Sequence, residues 1–218
     1  MKEIIKGIFK DKNKLFTQNP KNCKGLKIYN EKLIKFKGKE LRSWNPYRSK
    51  LAAGILNGIS VEIKPNMNIL YLGAATGTTV SHISDILTEG VIYAVENSPI
   101  VTKKLLDVSE NRKNIITILN DANHPDKYSF ITQKVDIIYQ DISQRNQAEI
   151  FIKNIKKYLT ENGYAIIMVK ARSIDVSLKP KDAYKKVVNE LKENKLKILQ
   201  TIDLKPYEKD HMGILVNF

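Results

Sequence analysis

Ile69-Leu70-Tyr71-Leu72-Gly73-Ala74-Ala75-Thr76-Gly77-Thr78-Thr79-Val80-Ser81-His82 is the stretch on which the fold turns. Its first four residues form an apolar run, which reads as a strand buried on both faces of a parallel sheet. The run breaks at Gly73 into a turn of small residues closed by Gly77. Thr78 and Thr79 stand where a helix begins, and Val80, Ile83, Ile86 and Leu87 follow at helical spacing. Small residues let a backbone approach a ligand closely, and the first turn of a helix offers unpaired N–H groups with positive dipole character. Gly73, Ala74, Thr78 and Thr79 are therefore candidate cradle residues at the carboxyl end of a strand, where open α/β sheets bind nucleotides. The spacing is neither GxGxxG nor GxxxxGK[ST], because no lysine follows Gly77. A tight strand–helix turn with no ligand is the competing reading.

The next strands narrow the ligand. Residues 91–96 (VIYAVE) end in Glu96, 23 residues past Gly73. A carboxylate at that offset suits a ribose diol, since it accepts two hydroxyl hydrogen bonds. Residues 115–119 (IITIL) are followed by Asn120-Asp121-Ala122, where Asp121 suits an adenine amino group. Residues 135–139 (VDIIY) lead into Gln140-Asp141-Ile142-Ser143-Gln144. Four successive strand tips thus carry Gly, Glu, Asp and Asp. A single acidic strand end is ordinarily a solvated cap; the ordered series fits S-adenosylmethionine, which has a diol, an amino group and two cationic centres.

Downstream order extends this to a fold class. The patterns predict strand 68–73, helix 78–88, strand 91–96, helix 99–109, strands 115–119 and 135–140, helix 146–159, strand 163–170, helix 180–194, and strands 196–203 and 211–217. Alternating strands and helices imply a parallel, Rossmann-like α/β sheet with right-handed crossovers. The link 205–210 is too short for a crossover helix, so the last two strands form an antiparallel hairpin that closes the sheet with an antiparallel edge. A leading helix is expected from about residue 49. Residues 1–46 read as a small β-rich domain and 47–218 as the Rossmann-like domain.

The chain has 218 residues and a formal net charge of +14. Fifteen Lys or Arg stand against four acids in residues 1–50, alternating with apolar residues as in Leu33-Ile34-Lys35-Phe36-Lys37. Such alternation suggests short antiparallel strands with one basic face, for which RNA is the leading partner; biased composition and a merely solvated face is the plainer account. No run approaches the ~18 apolar residues of a membrane span, and no secretory signal opens the sequence, so a cytoplasmic protein is expected. Cys23 is the only cysteine and reads as a semi-exposed thiol without a role. His82, His124 and His211 have no metal-ligand spacing, so no metal is expected.

Four side chains are candidates for chemistry. Lys170 ends the apolar run 164–169 and is partly shielded from water, a setting in which enzymes use lysine as a base. Asp141 lies in the neighbouring strand-tip region, Lys50 starts the leading helix and His211 follows the final hairpin turn. Each has an ordinary counterpart: a snorkelling strand end, a helix cap, a solvated helix residue and a turn residue.

The combination RSWNPYRSKLAAGI (42–55), YLGAATGTTVSHISD (71–85), YAVENSP (93–99), NDANHP (120–125), DIIYQDISQRNQ (136–147), VKARSID (169–175) and PYEKDHMGILV (206–216) resembles the fibrillarin family in its short archaeal form, from about residue 8 onward. The resemblance implies S-adenosylmethionine-dependent 2′-O-methylation of ribose in rRNA and possibly tRNA. It further implies a particle containing a box C/D guide RNA, a Nop-family scaffold protein and a kink-turn-binding ribosomal-type protein. By similarity Thr78, Thr79, Glu96, Asn97, Asp121, Ala122, Asp141 and Gln144 line the cofactor site, and Lys50, Asp141, Lys170 and His211 form the catalytic set. Two positions depart from the family pattern. Asn97 stands where an aromatic residue is common, and Arg145 stands where a proline would stiffen the helix entrance. A stand-alone rRNA ribose methyltransferase would keep the same catalytic set without a guide; the segment WNPYRSK and the β-rich N-terminal region argue against it. A nicotinamide oxidoreductase would leave Lys50 and Lys170 unexplained.

Overall fold

The computed structural model describes residues 1–218 and contains two sheets. The first is antiparallel and joins β1 (Lys2–Ile5), β2 (Ile8–Asp11), β3 (Lys14–Gln18), β4 (Leu33–Phe36) and β5 (Lys39–Trp44) in the order β1-β2-β3-β5-β4. The β4–β5 link, Lys37-Gly38, has φ of 48° and 76°, the two left-handed residues that match a two-residue turn to strand twist.

The second sheet has seven strands. They are β6 (Ile69–Leu72), β7 (Ile92–Glu96), β8 (Ile115–Leu119), β9 (Val135–Gln140), β10 (Leu159–Lys170), β11 (Lys197–Asp203) and β12 (His211–Asn217), in the order β11-β12-β10-β9-β6-β7-β8. Helices α1 (Lys50–Leu56), α2 (Thr78–Ile86), α3 (Pro99–Glu110), α4 (Gln147–Tyr158), α5 (Ala171–Ile174) and α6 (Pro180–Glu193) complete the fold. β6, β7, β8, β9 and β10 are parallel, and β12 pairs antiparallel with both β10 and β11. The reversed strand is therefore one place inside the sheet. The edge strand β11 runs with the parallel set, and this corrects the expected antiparallel edge. β12 must insert there because its row Gly213-Ile214-Leu215-Val216 is apolar on both faces, whereas β11 alternates between exposed and half-buried residues.

Strand periodicity sends alternate residues to opposite faces. Ile69 and Tyr71 enter one apolar cluster with Val80 and Ile83 of α2, while Leu70 and Leu72 enter another with Phe151 and Ile155 of α4. Ile8, Leu15 and Trp44 of the first sheet belong to the former cluster, so that sheet packs onto the α2 side. Its outer face is not simply basic. Phe9, Phe16 and Leu41 form a third apolar cluster there, and Lys37 and Lys39 lie over the Phe36 and Phe9 rings at 5.6 and 5.5 Å. Lysine stems cover apolar surface while their heads stay wet, so the expected basic face is a phenylalanine ridge roofed by lysines.

β10 begins at Leu159, directly after α4, rather than at 163. Its register with β9 breaks between Leu159 and Tyr164, where a Cβ on Gly163 would stand 2.8 Å from the Asp136 carbonyl oxygen. Cys23 is buried, not semi-exposed. Its thiol donates to the Asn111 carbonyl oxygen at 3.2 Å, and burial pushes its pKa up.

The two sheets meet across a buried polar network. Arg42 contacts Glu31 at 2.7 Å and Asp85 at 2.8 Å, and Arg112 contacts Asp85 at 3.0 Å. Arg42 also donates to the Ser81 hydroxyl at 3.0 Å, which fixes α2 against β5. His82 stacks on Trp44 at 5.0 Å and lies 2.7 Å from both Thr17 Oγ1 and the Tyr29 hydroxyl. Thr17 donates its hydroxyl to Asp85 at 2.7 Å, and the Tyr29 hydroxyl donates to the Ser43 carbonyl oxygen at 2.9 Å.

Candidate active site

Every candidate side chain lies at one edge of the seven-stranded sheet. Read along that edge, the tips are Asp121 past β8, Glu96 ending β7, Gly73 past β6, Asp141 past β9, Lys170 ending β10 and His211 starting β12. The point at which the connections diverge falls between β6 and β9, the crevice where doubly wound sheets hold ligands.

The β6 cradle is built by necessity from glycine. Gly73 has φ +82°, and a Cβ there would collide with the Asp141 carbonyl oxygen and stand 2.8 Å from Ile142 Cγ2. Gly77, with φ +85°, precedes α2 and supplies no side-chain cap. The N–H groups of Thr78, Thr79 and Val80 therefore have no protein acceptor, and face a ligand position with favourable dipole sense. Ala75 between the glycines is also left-handed, with φ 47°, and its N–H donates to Glu96 Oε2 at 2.9 Å. That bond offsets a conformational cost of about 1–2 kcal/mol.

Glu96 is oriented from three sides. Besides Ala75, the N–H groups of Asn97 and Ser98 donate to Oε1 at 3.0 Å each. A carboxylate has about four lone-pair sites, so Oε2 retains room for a donor from outside the protein. Asn97 itself is exposed and reaches Glu96 through its backbone. Asp121 Oδ1 accepts from the Asn123 N–H at 2.9 Å and from Asn123 Nδ2 at 3.1 Å, leaving Oδ2 free. The N–H of Ala122 has no acceptor in the protein, while its carbonyl accepts from Asn154. A free carboxylate oxygen beside a free N–H matches the donor–acceptor edge of adenine. Gln144 accepts from Asn123 at 2.7 Å, which ties the β8 and β9 tips together. Thr79 donates its hydroxyl to Ser49 at 3.0 Å, so that hydroxyl meets a ligand only as an acceptor.

The catalytic candidates form two pairs. Lys50 Nζ lies 3.0 Å from both oxygens of Asp141, each side chain about one-fifth exposed. Lys170 and His211 are directly opposed in the β10–β12 register. The His211 carbonyl oxygen accepts from Leu204 on the β11 side, so Lys170 and His211 are a non-hydrogen-bonded pair with closely spaced side chains. His211 Nδ1 lies 2.7 Å from the Lys209 carbonyl oxygen and 3.8 Å from Glu208 Oε2. Asp141 bonds to Lys50 and not to Lys170, whose protein bonds are made by its backbone. Tyr71 and Tyr139 lie beneath, with ring centroids 4.6 Å apart, and burial raises both hydroxyl pKa values.

Two supporting residues were not singled out from sequence. Ser49 caps α1 by accepting from the Ala52 N–H at 3.3 Å, and it also accepts from Thr79; the helix of Lys50 is thereby tied to the cradle helix. Gln147 is fully buried. Its Oε1 accepts from the Lys170 N–H at 3.3 Å, and its Nε2 donates to the Gln144 and Lys170 carbonyl oxygens at 3.1 and 3.4 Å. The β9–β10 ladder ends at Ile167↔Gln140, so the Gln147 amide substitutes for one more residue of β9.

The Fibrillarin family model matches residues 1–218. The fibrillarin-like rRNA/tRNA 2′-O-methyltransferase of Methanocaldococcus jannaschii is 50% identical over 190 residues, covering 87% of this chain and 83% of that protein. A structure of a fibrillarin/Nop5p complex superposes with a TM-score of 0.90 at 45% identity, covering 99% of both chains. Aeropyrum pernix fibrillarin, solved with natively bound S-adenosyl-L-methionine, superposes with a TM-score of 0.86 at 41% identity, covering 93% of this chain and 88% of that one.

Proposed function

The chain belongs to the fibrillarin family of rRNA/tRNA 2′-O-methyltransferases, and from that premise we propose that it methylates the ribose of a nucleotide selected by a box C/D guide RNA. In this reading it works on a Nop-family scaffold beside a kink-turn-binding protein. The relative solved with Nop5p supports the scaffold. The observation that carries the reading is the order along the sheet edge: three adenosine-type tips, then Asp141, Lys170 and His211 on consecutive strands.

Bound at these tips, S-adenosylmethionine supplies an electrophilic methyl group on a cationic sulfur. Asp121 Oδ2 and the Ala122 N–H hold the adenine edge, Glu96 holds the ribose diol, and the cradle N–H groups hold the amino-acid carboxylate. Gly73, Ala74, Asn97 and Gln144 shape the pocket walls. Asp141 lends negative charge next to the sulfonium position and anchors Lys50, which faces the RNA ribose or its phosphate. Lys170 contacts the attacking 2′-hydroxyl: as a neutral amine it receives the hydroxyl proton when the oxygen is methylated, and as an ammonium it steers the oxygen toward the methyl group while the proton passes to solvent. His211, opposite Lys170, orients it. Alignment is a large term, worth on the order of 7–11 kcal/mol when reactants are well oriented.

The test is methyl transfer to a complementary RNA by the chain alone and by the assembled particle. The expected result is one methylated nucleotide, opposite the guide, in the particle only. Lys170→Ala should retain cofactor binding and lose about 10²–10⁴-fold in rate. A loss below tenfold removes Lys170 from the role. Efficient methylation of a defined site without guide would instead identify a stand-alone ribose methyltransferase.

A further inference from the structure

Tyr47 is 63% exposed, three residues before Lys50. It is not loose. Its N–H donates to Asn45 Oδ1 at 2.9 Å, and its ring meets Tyr207 edge-on, with centroids 5.2 Å apart at 74°. Tyr207 belongs to the β11–β12 link, four residues before His211, and packs on the core. That link is pinned in turn, because Asn57 at the end of α1 donates to the Asp203 and Lys205 carbonyl oxygens at 2.7 Å each. A rigid aromatic pair therefore bridges the two segments that deliver Lys50 and His211.

Two of the three acids at the link lie beside a lysine or arginine, and two cations beside the pair are unpaired. Asp203 has Lys205 as a cationic neighbour at 3.9 Å and Asp210 has Arg172 at 3.3 Å, while Glu208 Oε2 lies 3.8 Å from His211 Nδ1. Arg48 and Lys209 are exposed and belong to no ion pair. The Arg48 guanidinium is held 5.2 Å from the Tyr29 ring. Rigid aromatic surface flanked by uncompensated cations is the chemistry that receives sugar–base edges and phosphates.

We propose that Tyr47 and Tyr207 form a ledge that seats the sugar–base edge of RNA next to the target ribose, with Arg48 and Lys209 on the flanking phosphates. The ledge rests on the reading of the neighbouring site as a ribose methyltransferase. A guide-paired target is A-form, and its wide, shallow minor groove displays the 2′-hydroxyls. A ledge beside Lys50 and His211 would set the depth to which that groove enters.

The experiment places 5-iodouridine on either side of the target in the assembled particle and pairs photocrosslinking with single-turnover methylation. A crosslinked peptide containing Tyr47 or Tyr207 is expected. Tyr47→Ala should abolish the Tyr47 crosslink and slow methylation roughly tenfold, Tyr47→Phe should restore the rate, and cofactor affinity and Tm should stay at wild-type values. Full-rate methylation by Tyr47→Ala, or crosslinks only elsewhere, overturns the ledge. So does a rate loss in Tyr47→Ala and Tyr47→Leu that tracks lost cofactor affinity or lower Tm, since the pair would then only brace the link. Crosslinking reads out independently of chemistry: a tyrosine crosslink without methyl transfer keeps the ledge and refutes the methyltransferase reading.

Discussion

Gln147→Met tests whether Lys170 is held by the side-chain amide that extends β9. Methionine fills nearly the same buried volume and removes every polar atom of the side chain. Three groups then lose a partner: the Lys170 N–H, the Lys170 carbonyl and the Gln144 carbonyl, whose bonds are 3.3, 3.4 and 3.1 Å long. These lengths lie at or beyond the long end of the N–H···O range, so each bond is worth about 0.5–1 kcal/mol. Roughly 2 kcal/mol of stability should go, lowering Tm by about 4–8 °C for a chain of this size. The catalytic cost should be larger in proportion. Lys170 ends its strand, and a displacement of its Nζ by about 1 Å suffices for a loss on the order of 10²-fold. Cofactor affinity should change less than about threefold, because Gln147 touches none of the adenosine tips. Gln147→Glu puts a buried carboxyl against two carbonyl oxygens, so its ionised form should cost more than methionine and the effect should recover as the carboxyl protonates. The assays are thermal unfolding, cofactor titration and single-turnover methylation in the particle. Gln147→Met with lowered Tm and wild-type rate would refute the reasoning, showing that the amide supports the strand without positioning Lys170.

Glu96→Ala should weaken S-adenosylmethionine by roughly 1.5–3 kcal/mol, as for loss of hydrogen bonds to a charged acceptor. It also leaves left-handed Ala75 without its acceptor. Calorimetric titration of the folded variant decides it, and unchanged affinity would remove Glu96 from the ribose role. His82 is held neutral by burial and by the cations Arg42 and Arg112, so its folded pKa lies well below the usual 6.5. The unfolded chain takes up a proton near pH 6.5 that the folded chain refuses. Stability is therefore full above that pH and should fall by up to about 1.4 kcal/mol per unit as pH drops below it, until the folded pKa is reached. Denaturant titrations between pH 7.5 and 5.5, with His82→Gln as the control, should show a slope in wild type that the variant lacks; equal slopes would place the titration elsewhere.

The parts legible in the sequence were those that repeat. Apolar runs gave the strands of the large sheet, and the residues that end them gave Glu96, Asp121, Asp141 and Lys170, because a strand tip is a fixed place in an α/β sheet. What stayed hidden depends on partners distant in the chain. Ser49 and Gln147 look like ordinary polar helix starts until Thr79, 30 residues away, and Lys170, 23 residues away, are brought beside them. Glu31, Arg42, Asp85 and Arg112 have the composition of a solvated surface, yet they are buried between the sheets. Alternation in residues 1–44 revealed strands but not that both faces carry apolar clusters. The link 205–210 announced a hairpin, yet only the apolar faces of β12 explain why that strand lies inside the edge.

The chain must attract a cationic cofactor and an anionic polymer while carrying a net charge of +14. Sheet order makes the two compatible. Glu96 and Lys170 end strands three places apart, a separation of about 14 Å at the usual strand spacing. That exceeds the Debye length of about 8 Å at physiological salt, so the acidic and basic ends of the edge act nearly independently on what docks there. Between them Asp141 meets Lys50 at 3.0 Å, a distance at which screening is weak. In the proposed site, a carboxylate at that place offsets the repulsion between Lys50 and a sulfonium. Asp141 follows β9, one of the two strands between which the connections diverge, so the topology that opens the crevice also supplies its counter-charge.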